Sequence, residues 1–316
     1  MNINRIISTA MITIMGITMC FAQQIAVVSE SGETSVCKTL QEAIENATNG
    51  SVIYLSGGAF LISDDVEITK KLSIIGIGYK AKNENVDGCT VIAGNLWFNE
   101  NSSGSSVLGC YVSGSINIGN DGSSVNDVVV KSCNLNQIDI KNNTCLGTVV
   151  NQNYIRYIAY LSRGTVFTNN IAYSVSSEGG IIVNNIILNG SGFGSCYIAH
   201  NIFLNGQGID PNSTYFANMA KGDVGDYPIN IGEMEWPDLF VKYNNGTISP
   251  YTDYHFVEDF KSEYKDIGIY GGTGFNDAGQ PPLPFIVAKS IPDQTDAVGN
   301  LTIKIRVNTG ESVSDY

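Results

Sequence analysis

The stretch IIVNNIILNGSGFGSCYIAHNIFLNGQG, residues 181–208, nearly states one phrase twice. Asn185-Ile186-Ile187-Leu188-Asn189-Gly190 returns as Asn201-Ile202-Phe203-Leu204-Asn205-Gly206. Upstream, TVVNQNYI, TVFTNNIAY, IIVNNIIL and CYIAHNIFL align on Asn153, Asn170, Asn185 and Asn201, at intervals of 17, 15 and 16 residues. Asn134 in VVVKSCNL extends the series backward with a poorer fit. Three residues before the four asparagines stand Val150, Phe167, Ile182 and Ile198, and two after them Ile155, Ala172, Ile187 and Phe203. Each repeat therefore reads as a short strand, a polar corner and a second short strand.

A repeat this short cannot hold a hairpin with its own core, but it can make one full coil of a parallel β-solenoid. Coils then stack about 4.8 Å apart, and equivalent side chains lie directly over one another. The apolar positions become columns inside. The corner asparagines become a candidate hydrogen-bonded ladder, because the bent backbone needs partners where the chain turns.

The same grammar runs further back in SVIYLSG, VEITKKLSIIGIG, CTVIAGNLWFNE, SSVLGCYVSGSINIG and VNDVVVKSCNLNQIDIKNN, short Val/Ile runs cut by Gly, Asn or Ser. In KTLQEAIENATNGS, Leu40, Ala43, Ile44 and Ala47 have helical spacing. This segment predicts a short helix over the open end of the solenoid, which would otherwise expose core and strand edges. Composition agrees: only 15% of the chain is charged and it carries 34 glycines, a profile of strands and turns.

The net charge of −13 argues against nucleic acid and anionic lipid as partners, and against acidic glycans unless a cation bridges them. Residues 1–22 read as a signal peptide, with Arg5 before the apolar run Ile6 to Met19 and a small-residue exit at Ala22. A lipid anchor on Cys20 is the lesser alternative, since Met19 is bulky for that signal. No later run is long and apolar enough to span a bilayer, so an exported, monomeric chain without membrane insertion is expected. Six cysteines remain after residue 22, with no C-x-x-C pair, and are read as free, buried, small hydrophobes rather than zinc ligands or disulfides.

The segment TLQEAIENATNGSVIYLSGGAFLISDDVEITKKLSIIGIG resembles the entry of right-handed parallel β-helix proteins of the pectin-lyase-like superfamily, and the Asn-apolar-apolar coils resemble the body of that fold. The resemblance covers roughly residues 36–272. It implies an all-β, right-handed parallel β-helix with a short N-terminal capping helix, spanning residues 23–276. DLF, DYHF and DIGIYGG are similar to the closing coils of exported bacterial proteins of this kind. Residues 277–316 follow as a Pro-rich connector and a terminal strand, LTIKIRV, that packs on the β-helix or starts a small module. The fold hosts lyases, hydrolases, adhesins and inert scaffolds, so it leaves activity open.

Lyases of this superfamily use a Lys or Arg base while acidic groups or calcium offset the substrate carboxylate. The central coils offer Asp139, Lys141, Arg156 and Arg163 as catalytic candidates, set against a plain reading as solvated surface charges. The hydrolase pattern is missing: the only adjacent aspartates are Asp64-Asp65, neither His200 nor His255 has flanking glycines, and Lys304-Ile305-Arg306 is reversed and near the terminus. His200 takes the place before a corner asparagine, and His255 lies among aromatics. No metal site is expected, although Asp223, Asp226, Glu233 and Glu235 leave calcium possible. Tyr154, Tyr157, Tyr160 and Trp97 are the candidate glycan contacts, with Tyr173 and Trp236 behind them, because aromatic rings stack on sugar faces. The expected function is an exported, non-catalytic scaffold that binds a polysaccharide or cell-surface glycan or acts in adhesion. The alternative is a polysaccharide lyase acting on an acidic glycan.

Overall fold

A computed structural model describes residues 24–62, 66–80, 88–120, 122–206, 208–222, 228–232, 234–243 and 247–281, together with strands at 285–290 and 304–308. Residues 1–22, read as a signal peptide, lie outside these residues, as do Asp64-Asp65, Asp223, Asp226, Glu233 and residues 282–284 and 291–303.

The chain winds as a parallel β-solenoid of about eight turns. One long sheet carries the short strands Ser51–Leu55, Leu72–Ile75, Ser106–Leu108, Val129–Lys131, Val149–Asn151, Val166–Thr168, Ile181–Val183, Tyr197–Ala199 and Thr214–Phe216, paired in that order and parallel throughout. A second sheet carries the longer strands, among them Tyr111–Ile118, Asn134–Ile140, Tyr154–Leu161, Ile171–Glu178 and Ile186–Gly194. Register shifts within these longer strands bend them round a further side of the coil.

The sequence periodicity is the register. Val130, Val150, Phe167, Ile182 and Ile198 are direct partners in the first sheet, and Leu135, Ile155, Ala172, Ile187 and Phe203 in the second. All ten are fully buried. In two coils a large residue on one sheet is matched by a small one on the other: the coil with Phe167 has Ala172, and the coil with Tyr215 has Ala220. Such matching keeps close packing there without moving neighbouring layers apart.

The corner before the second sheet is left-handed at Ser132, Gln152, Asn169, Asn184, His200 and Ala217. Asn153, Asn170, Asn185, Asn201 and Asn218 follow and are fully buried. Each Oδ1 from Asn170 onward accepts the backbone N–H and the Nδ2–H of the asparagine one coil back, at 2.8–3.1 Å. Each Nδ2 also donates to a strand carbonyl, those of Val130, Val150, Phe167, Ile182 and Ile198 in turn. The predicted ladder is thus present and runs one rung further, to Asn218. Its backward extension differs from the expectation. Cys133, not Asn134, holds the rung: its N–H donates to Asn153 Oδ1 at 2.9 Å and its thiol points to the Val107 carbonyl. Asn134 lies on the outer side, in register with Tyr111 and Tyr154.

The N-terminal cap is a helix, α1 (Leu40–Asn46), whose N-cap Thr39 accepts from the Glu42 N–H, and whose Leu40, Ala43 and Ile44 are buried. The structure adds two antiparallel strands, Ile25–Val28 and Thr34–Cys37, that continue the first sheet beyond Ser51–Leu55. The end of the solenoid is therefore closed by a change of strand direction as well as by a helix.

Beyond Ile229–Asn230, the last strand of the second sheet, the expected closing coils are absent among the described residues. The chain instead returns along the outside. It forms two one-turn helices, α2 (Trp236–Leu239) and α3 (Glu258–Lys261), and a single antiparallel bridge between Phe240 and Phe256. Trp236, Leu239, Phe240, Tyr254, Ile267 and Ile269 build a second core on the outward side chains Ile171, Ile186, Leu188, Ile202 and Leu204. The signal for this lay in the apolar doublets Ile186-Ile187 and Ile202-Phe203. Neighbouring residues on a strand point to opposite faces, so a doublet needs cover on both.

From Asp266 to Pro281 the returning chain is a strap along the left-handed corners. Asn184 Nδ2 donates to the Asp266 carbonyl, Asn169 Nδ2 to those of Ile269 and Gly271, and Gln152 Nε2 to that of Gly274. The Gly268 N–H donates to the His200 carbonyl, and the Tyr79 N–H to that of Gly279. Pro281 packs on Gly109, where a Cβ would collide with the proline ring. The strap thus crosses the coils in the reverse of winding order. Phe285–Ser290 and Lys304–Asn308 then pair antiparallel as a separate two-stranded sheet, which contains the second half of the LTIKIRV segment.

Candidate functional site

The alternation in IDIK decides the geometry. Ile138 is fully buried and Ile140 nearly so, and Asp139 points outward between them. Parallel register then places Glu67, Trp97, Asn117, Asp139, Tyr160 and Ser176 in one outward column across successive coils. The inward neighbours Leu96, Phe98, Ile116, Ile118, Ala159 and Leu161 anchor that column in the core.

Lys141 forms an ion pair with Asp139. Its ammonium also lies 5.8 Å from the centre of the Trp97 ring, reaching back along the column. The indole Nε1–H of Trp97 is buried and has no hydrogen-bond partner among the described residues. Asn117, in register between Trp97 and Asp139, is 4% exposed although it faces outward. Tyr160 continues the column at 44% exposure, and Tyr157 beside it on the bulged strand is 63% exposed.

The remaining predicted residues disperse. Arg156 donates through Nε to Asn134 Oδ1 at 3.1 Å, and its guanidinium stacks 4.7 Å from the centre of the Tyr111 ring. Arg163 sits at a different corner, in the turn before Gly164, with its stem over Gly179. Tyr154 is half-buried beneath the returning chain, and its hydroxyl donates to the Ile248 carbonyl. Burial, opposed by the nearby Arg156, raises its phenol pKa. Trp236 is buried in the second core, donating to the Leu204 carbonyl at 2.9 Å.

A second polar cluster escaped the sequence reading. His255 Nδ1 lies 2.7 Å from Asp253 Oδ1, and the imidazole stacks 3.6 Å centre to centre on Tyr270, whose hydroxyl donates to Asp277 Oδ1. Partial burial alone would raise the Asp253 pKa, but hydrogen bonds from His255 prevail and lower it. Burial and the Asp277 charge push the Tyr270 phenol up. Lys80, buried next to this cluster, donates to the carbonyls of Pro250 and Asp277. These groups fasten the returning chain. Only the spacing in DYHF hinted at them, because their partners come from distant segments.

Among the described residues, no group of three or more His, Cys, Asp or Glu side chains is placed to hold a metal ion. Glu235 pairs with Lys221 at 2.5 Å. The six described cysteines are unbridged, and all but Cys89 are buried. No described helix is long and apolar enough to cross a membrane.

The column can present aromatic rings and one ion pair to an extended ligand. It is less suited to proton abstraction. A general base must be free to reach the substrate proton, and Lys141 and Arg156 are both engaged by neighbouring groups. Comparison of the chain with family models, curated proteins and solved structures found no match.

Proposed function

We propose that the protein is an exported, non-catalytic β-helix scaffold of the pectin-lyase-like kind, which binds glycan along the outer column of its second sheet. The observation that carries this reading is the register Trp97–Asn117–Asp139–Tyr160, with the exposed Tyr157 beside it and, on Trp97, an N–H without a partner among the described residues. Aromatic faces stack on the apolar faces of sugars, and a few fixed polar groups set orientation. The column from Trp97 to Tyr160 spans three coil steps, about 14 Å at ordinary strand spacing, the length of a short oligosaccharide.

A glycan array followed by calorimetry tests this. The expected result is binding that weakens about tenfold or more in Tyr160→Ala and is unchanged in Arg163→Ala, on the separate corner. Retained affinity in Tyr160→Ala and in Tyr157→Ala would place any site elsewhere. Incubation with uronate polymers is expected to give no unsaturated product. A rise in ultraviolet absorbance would establish a lyase instead. Export predicts that the protein recovered outside the cytoplasm begins at Gln23, which intact-mass measurement checks.

A further inference from the structure

We infer that this column takes an uncharged glycan and discriminates against uronate or sulfated polymers, an inference that rests on the glycan-binding reading above. It comes from the state of the charges rather than their number. The column itself carries two acidic residues, Glu67 and Asp139. The two cations beside it are already in use. Lys141 holds Asp139 and lies over Trp97, and Arg156 holds Asn134 and lies over Tyr111.

A polyanion laid along the column would have to take Lys141 from Asp139, leaving that carboxylate, 14% exposed, without its counter-charge beside a second anion. Breaking a partly buried ion pair costs more than an exposed one returns. The chain's net charge of −13 adds repulsion at longer range. A neutral sugar meets none of these costs. Its hydroxyls can donate to Asp139 without displacing Lys141. The exposed rings of Tyr157 and Tyr160 supply stacking surface that needs no charge.

Calorimetry on the mature chain, with neutral and uronate oligosaccharides of matched length at low and high salt, tests the inference. The expected result is binding of a neutral oligosaccharide with an affinity that changes less than about twofold between the two salt conditions, because no ion pair forms with the ligand. The uronate ligand should bind at least about tenfold more weakly. Equal or tighter binding of the uronate, falling as salt rises, would overturn the inference and leave glycan binding in place. Binding by neither class, checked across a full array, would overturn the glycan-binding reading itself.

Discussion

Each ladder asparagine side chain serves three to five hydrogen bonds, and this makes its replacements unequal. Asn185 accepts from the N–H and side chain of Asn170 and donates to Phe167 and Asn201. Asn185→Ala strands several buried groups and should cost about 2–4 kcal/mol. Asn185→Asp should cost more, since a carboxylate cannot donate to either oxygen. Asn185→Cys should fall below Ala in cost, because Cys133 already occupies a rung. Chemical denaturation of the three variants checks the order. A contrary case lies at Thr148 and Thr165, fully buried in adjacent coils with hydroxyls that have no partner among the described residues. Thr165→Val keeps the shape and removes the orphan, so stability should rise, by up to about 1 kcal/mol. The asparagine intervals made the ladder legible in the sequence. Cys133 was not, because sulfur shares neither the donor nor the acceptor strength of an amide, and only its position reveals the substitution.

Among the elements, the strap and the second core are where sequence and structure part. The strands were readable because inward side chains recur once per coil. The return of the chain was not, because Trp236, Phe240 and Tyr254 would suit a closing coil as well as an outer cover. The apolar doublets were the overlooked constraint. A bulky residue at Gly271 tests the strap: any Cβ there collides with the Asp266 carbonyl and the Asn184 amide. Gly271→Val should leave the solenoid folded but detach residues near 266–281, seen as faster hydrogen exchange and protease cleavage there. Acid should loosen the same region. The folded pKa of Asp253 is depressed, so its contribution is present above the ordinary carboxyl range and is lost as pH falls through the lowered value. Asp253→Asn should remove that part of the pH dependence. The candidate face was legible only in pieces. IDIK announced the outward Asp139 and Lys141, but their junction with Trp97 needed the register between coils more than forty residues apart in sequence.

As a whole molecule, the solenoid owes its stability to contacts between neighbouring coils rather than to cross-links. Its thiols belong to that packing. Burial pushes Cys133 up to about 12 and raises Cys110 as well, so neither offers a reactive thiolate near neutral pH. Among the six described cysteines, a thiol reagent should modify Cys89 alone within minutes in the native protein, and all six once denaturant is added. Rapid native reaction at several sites would contradict the packing. A plain stack of rings can also fray from whichever end is weaker. Here a lengthwise seam joins the His200 corner to Tyr79 near the opposite end. Pulled from its two ends, such a spring would resist peeling ring by ring until the seam tore, and then extend in a single abrupt step.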